Sequence, residues 1–248
     1  MVTLPIAVLL VFLFTSVLTI AGVGAAFIII PTFYWLGIPL TEAMAIALLL
    51  NAISMSFASA NYIRYKLVVF RTALPIIALA VVFSPLGAYS TRYFSKDYLI
   101  LIFVLFLIFA GSMMLFYQPR KREASASSGR ELKTGIGLGI GAGYLVGLLG
   151  VGGGNFIVPV LVWLGFDPKK ASATTAFIVI FSSLSGFFGH AALGTVNWNL
   201  LAFAAIGSVS GAILGSWLMH KKLDAGQVKK IIGIVLYAIA AKMAWSLL

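Results

Sequence analysis

Two glycine runs set in apolar sequence are the part of this chain best suited to chemistry. Gly22-Val23-Gly24-Ala25-Ala26 returns 128 residues later as Gly150-Val151-Gly152-Gly153-Gly154. Over positions 22–37, eight of sixteen residues are identical to their partners at 150–165, among them Pro31 with Pro159 and Trp35-Leu36-Gly37 with Trp163-Leu164-Gly165. Backbone that leaves a helix inside hydrocarbon must be satisfied by protein or line a watery cavity, so a glycine run there marks an interior site. If short helices start just after Ala26 and Gly154, their first-turn amides are unpaired and point toward the breaks. Pro31 and Pro159 fit near such helix starts. Two N-termini arriving from opposite faces make a positive, donor-rich pocket for a small anion. A tight turn with close packing would also account for the glycines.

The candidate substrate-binding set is Gly22, Gly24, Ala25, Asn51, Ser54, Gly152, Gly153, Gly154, Asn155, Thr174, Thr175, Ser182 and His190. Asn155 directly follows the second run, where its amide either caps the helix or donates to a ligand. Ser54 and Ser182 fall at equivalent positions of the repeat. Hydroxyls inside membrane helices commonly bond the preceding turn or a neighbouring helix, the structural alternative for this group. His190 is a proton acceptor, an anion contact, or an ordinary interfacial histidine. All six acids, Glu42, Asp97, Glu123, Glu131, Asp167 and Asp224, lie at the ends of apolar blocks or in loops. No buried carboxylate pair, metal cluster or Ser-His-Asp arrangement is expected, hence no catalytic residue, metal or cofactor.

These residues are carried by an integral membrane protein, because 62% of the chain is hydrophobic, 9% is charged and the mean hydropathy is +1.10. The lipid bilayer is its first partner. A net charge of +11 would point a soluble domain toward nucleic acid, but here the basic residues crowd into short loops where they set orientation, and no nucleic-acid role follows. The absence of cysteine excludes disulfides and thiol chemistry. Met1 to Leu13 lacks a basic leader and reads as the start of the first element.

Apolar blocks fall at roughly 4–37, 41–62, 72–92, 98–117, 133–165, 170–192, 198–219 and 227–247. The first and fifth are about 33 residues long, too long for one crossing of a core about 30 Å thick, and each is cut by its glycine run. Each is expected to be a hairpin, a helix in and a short helix back. If every block crossed once, the 17 basic residues would divide nine to eight between the two sides; with two hairpins they divide fourteen to three. By the positive-inside rule the rich side is cytoplasmic and both termini lie outside. The expected fold is therefore an all-α polytopic membrane protein of two inverted repeats, each a glycine-broken hairpin followed by three transmembrane helices. Residues 1–117 form the first repeat, 118–132 a charged cytoplasmic linker and 133–248 the second repeat. The ladders Gly135, Gly139, Gly143, Gly147 and Gly207, Gly211, Gly215 suit close helix packing.

The Gly-Val-Gly-(Gly/Ala)-x-x-x-x-x-Pro core in both halves, with Thr174-Thr175, His190 and the Gly194-Thr195-Val196-Asn197-Trp198 turn, resembles the TauE/SafE family of sulfite-exporter-like membrane proteins over residues 4–247. The first half departs from the pattern: Ala25 and Ala26 replace glycines, and Lys66-Leu67-Val68 stands where a glycine turn is expected. The resemblance implies export of sulfur-containing anions such as sulfite or organosulfonates across a prokaryotic plasma membrane. No Walker-type phosphate loop occurs, so a secondary transporter of a small anion is the leading expectation. A passive anion channel is the first alternative, since pores share donor-lined interiors. An intramembrane lipid-modifying enzyme is the second, and it lacks titratable residues at depth apart from His190.

Overall fold

The computed structural model describes residues 3–90, 96–116, 154–191 and 196–245, together with Gly137, Ile140, Gly141 and Tyr144. The linker 118–132, the first leg of the second hairpin and the ladder Gly135 to Gly147 lie outside the described residues. So do Gly152 and Gly153.

Within the described residues the chain is helical: α1 (Thr3–Ala21), α2 (Ala26–Trp35), α3 (Leu40–Arg64), α4 (Phe70–Ser90), α5 (Lys96–Phe116), α6 (Gly154–Trp163), α7 (Pro168–Ala191), α8 (Trp198–Lys221) and α9 (Ala225–Trp245). The segments Glu42–Arg64, Pro168–Gly189 and Trp198–Lys221 are long and apolar enough to cross a membrane. Large apolar side chains such as Leu9, Leu13, Phe203, Ile206 and Ile234 are exposed, while Thr15, Thr19, Asn51, Ser172 and Ser208 are buried. Apolar groups outside and polar groups inside is the distribution a lipid solvent demands.

Both short helices begin where the glycine runs end. Gly22 and Gly24 take φ of +71° and +80°, left-handed backbone that turns the chain sharply after α1. At 10 residues each, α2 and α6 are about 15 Å long, half the thickness of a hydrocarbon core. Their ends explain the repeated Trp-Leu-Gly triplet. Gly37 and Gly165 sit at φ +86° and +95° and close matching caps: the Gly37 N–H donates to Tyr34 O and Ile38 N–H to Phe33 O, while Gly165 N–H donates to Val162 O and Phe166 N–H to Leu161 O. Lys66 closes α3 in the same way at φ 56°, donating to Ile63 O, so the chain makes its turn there without glycine.

The prolines lie deeper than the first turn. Pro159 is the sixth residue of α6, and Pro31 holds the same place in α2. Having no N–H, each leaves the carbonyl four residues earlier, Asn155 or Phe27, without its helical donor.

The helices interlock across the two halves. The ladder Gly207, Gly211, Gly215 brings α8 against α1, running in the same direction, so that a Cβ on these glycines would meet the carbonyls of Val8, Phe12 and Ser16 in turn. The expected packing role of this ladder is what the contacts give it. Helices α3 and α7 cross in opposite directions, with Asn51 beside Ser183 and Leu48 beside Gly186. Three acids serve as caps and loop contacts: Asp167 accepts from the Lys169 and Lys170 amides, Asp224 and Gln227 cap α9 reciprocally, and Glu42 accepts from Asn197 N–H.

These contacts separate two kinds of glycine. Gly37→Ala meets open space and carries only left-handed strain, about 1 kcal/mol. Gly211→Val drives a side chain into the Phe12 carbonyl and should cost several times more. Thermal unfolding of the purified protein in detergent should show a small shift for Gly37→Ala and a large one, or loss of monodispersity, for Gly211→Val.

Candidate functional site

The first glycine break touches the second hairpin directly. A Cβ on Gly22 would meet the backbone of Ser172 in α7, and a Cβ on Gly154 would meet the backbone of Val23. Both contacts are so close that no side chain fits, which is the physical reason for glycine at these positions. The stretch Gly22-Val23 thus touches both α6 and α7, and the start of α6 rests on the first break. Around this junction Ala25, Ala26, Ala171 and Ala173 are also buried, and their small side chains let backbone meet backbone.

Two polar residues meet the junction in opposite ways. Asn51, from the middle of α3, reaches the first break: its Oδ1 accepts from Ala25 N–H at 2.9 Å and its Nδ2 donates to Ser183 Oγ at 2.9 Å. A Cβ on Gly24 would collide with this amide. Asn51 therefore satisfies the N–H of Ala25, the N-cap residue of α2, whose own side chain makes no capping bond. The first intrahelical donors of α2 are Ile28 and Ile29, both to Ala25 O, so the Ala26 and Phe27 amides have no acceptor within the helix.

Asn155, one residue beyond the Gly154–Val23 contact, is 0% exposed, and neither Oδ1 nor Nδ2 has a hydrogen-bond partner. Ser172 Oγ and Thr175 Oγ1 are likewise buried and unpartnered, and their three-residue spacing puts them on one face of α7. A buried unpaired polar group costs about 1–3 kcal/mol. Three residues in this state on α6 and α7 hold hydrogen-bonding capacity that no described residue uses. The repeat is not symmetric here. Residues 128 earlier are Phe27, Met44 and Ala47, which offer no side-chain hydrogen bond, and the counterpart of Asn51 is Val179.

The remaining candidates divide clearly. Ser54 Oγ donates to Asn51 O and Ser182 Oγ to Val179 O, each within its own helix. Thr174 Oγ1 accepts from Val69 N–H at 3.0 Å and holds the chain before α4. His190 lies in the last turn of α7, about 10 Å along the helix axis beyond Ser183, and its side chain is outside the described residues. Ser172 and Ser183 were not among the candidates; the spacing of Ser172 to Thr175 was the available signal for the first. Among the described residues no group of His, Asp and Glu could hold a metal ion.

Comparison with known proteins bears on what this junction serves. The model for the family described as sulfite exporter TauE/SafE matches residues 7–243. The chain belongs to the TauE/SafE family. Among its relatives, the probable membrane transporter YunE of Bacillus subtilis (strain 168) is 28% identical over 92% of this chain and 92% of its own length. The probable membrane transporter YdhB of the same organism is 25% identical over 84% of this chain and 87% of its own. The protein named sulfite exporter TauE/SafE family protein 1 of Arabidopsis thaliana is 27% identical over 60% of this chain and 33% of its own length. No solved structure matches. As a TauE/SafE protein, the chain is an all-helical membrane transporter and not an enzyme.

The clasp made by Asn51 can be measured. In Asn51→Leu the buried Ala25 N–H loses its acceptor and Ser183 its partner, a loss of about 1–3 kcal/mol. Ser54→Ala and Ser182→Ala remove only bonds within one helix and should cost less than 1 kcal/mol. Thermal unfolding in one detergent should rank the three variants accordingly.

Proposed function

We propose that this chain is a secondary transporter that exports small sulfur-containing anions, sulfite or organosulfonates, across the plasma membrane. The observation that carries the reading is the close contact of the first break with α6 and α7, together with first-turn amides of α2 that have no acceptor within the helix and the buried, unpartnered Asn155, Ser172 and Thr175. The N-terminus of a helix carries about half a positive charge, and in a low-dielectric interior that attraction holds an anion without a fixed lysine or arginine. The substrate class comes from the family description and from the name of the Arabidopsis relative.

The architecture that goes with this function is a pair of inverted repeats, residues 1–117 and 133–248, joined by the charged linker 118–132. The opposed crossing of α3 and α7 supports it, as do the matching caps at Gly37 and Gly165. The substrate lies near mid-membrane, reached alternately from the two faces as one part of the molecule rocks against another. The basic loops face the cytoplasm and both termini face outward. In line with this, Tyr65 stacks on His220 and Lys169 Nζ donates to His220 O, gathering three basic-rich loops at one end of the molecule.

Purified protein in liposomes should exchange labelled sulfite or a sulfonate across the membrane with saturable kinetics, where a channel would give flux that rises in proportion to concentration. Gly154→Leu, which thrusts a side chain into Val23, should abolish exchange. Orientation is tested separately, since the chain has no cysteine of its own. Ser127→Cys and Lys221→Cys should be labelled by an impermeant thiol reagent only from the cytoplasmic side, and Lys96→Cys only from outside. Labelling of Ser127→Cys and Lys96→Cys from the same side would overturn the inverted arrangement.

A further inference from the structure

The polar groups left unpaired at the junction are not all of one kind. Ser172 Oγ and Thr175 Oγ1 are hydroxyls, which rotate to donate or to accept. The first-turn amides of Ala26 and Phe27, which have no acceptor within α2, only donate. All of these are suited to the oxygens of an anion. Asn155 is different. A primary amide presents a donor and an acceptor at fixed places about its plane, and here both are unpaired with the side chain 0% exposed. An exchange of Oδ1 and Nδ2 between the two positions would leave the inventory unchanged. Whichever way the amide is turned, one buried, unpartnered acceptor stands one residue from the Gly154–Val23 contact, and an oxygen of the anion cannot satisfy it.

Among the described residues, four other polar side chains of the candidate set are already committed. Asn51 spends both ends of its amide on Ala25 and Ser183, Thr174 is held by Val69, and Ser54 and Ser182 donate to their own helices. A fully deprotonated oxyanion such as sulfate would fill the donor half of this site and leave the Asn155 acceptor stranded. An anion that carries its own hydrogen-bond donor satisfies both halves.

We infer that the site selects anions bearing a hydrogen-bond donor, and that Asn155 is the residue that reads it. The donor is either a proton on the anion's own oxygen, as in hydrogen sulfite, or a hydroxyl or ammonium on the carbon chain of an alkanesulfonate. This inference rests on the anion site proposed above and names its substrate class. A site built to pair a ligand's donor rejects the analogue lacking it, because its buried acceptor is then left alone.

The test uses the purified full-length protein and matched probes. Calorimetric titration with 2-hydroxyethanesulfonate and with ethanesulfonate, which differ by one hydroxyl, should show the hydroxylated anion binding about tenfold more tightly, the worth of one hydrogen bond. Titration with sulfite on either side of its second ionisation gives the parallel comparison for a proton on the anion itself. Preference in the first pair places the donor on carbon, and preference for the protonated form in the second places it on oxygen; either supports the inference. In Asn155→Leu, which keeps the volume and removes the amide, the preference should collapse while weaker binding of the anion persists. Asn155→Ala serves if that variant is not recovered as a monodisperse species, and the wild-type comparison stands without either. Equal binding within both pairs would overturn the donor requirement and leave the anion site standing. No binding of any probe would overturn the anion site itself, and the inference with it.

Discussion

Everything in this fold answers to one constraint: a main chain that stops being helical away from water must find its hydrogen bonds inside the protein. The break after α1 does so by bringing its own backbone against that of α6 and α7, through Gly22 on Ser172 and Gly154 on Val23, and by taking an amide from α3 as a substitute cap. Glycine is required at these contacts because no other residue lets two main chains come so near. The small residues around the junction and the short helices that leave it follow from that meeting. So does the left-handed backbone at Gly22 and Gly24.

The two breaks solve the same problem unequally. Asn51 gives the Ala25 N–H of the first an acceptor from within the protein. The second half holds Asn155, Ser172 and Thr175 unpaired, where the first has Phe27, Met44 and Ala47. The two copies have thus kept matching caps at Gly37 and Gly165 while differing at these three positions. The departure of Ala25 and Ala26 from the glycines of the second run belongs to the same division.

Much of this was readable from the chain. Residue type and periodicity suffice to place breaks at glycine runs in apolar sequence, so the starts of α2 at Ala26 and α6 at Gly154 agree with expectation. The packing role of Gly207, Gly211 and Gly215 was legible for the same reason. What could not be read was the pairing of hydroxyls. Thr174 and Thr175 are adjacent and chemically alike, yet one caps Val69 and the other is unpartnered, because neighbours on a helix point in different directions and only the tertiary fold says what each meets. Lys66 was equally opaque: a lysine seldom adopts positive φ, and only the cap it closes after α3 makes that conformation worth its strain.

The ladder on α8 also bears on how such a molecule can move. Gly207, Gly211 and Gly215 bring α8 so close to the backbone of α1 that neither can slide or tilt without lifting the other off it. Yet α1 belongs to the first half of the chain and α8 to the second. The pieces that travel as rigid bodies are therefore not the two copies written in the sequence. A hinge that leaves this seam intact keeps α1 and α8 in one body, so it cannot follow the boundary of duplication.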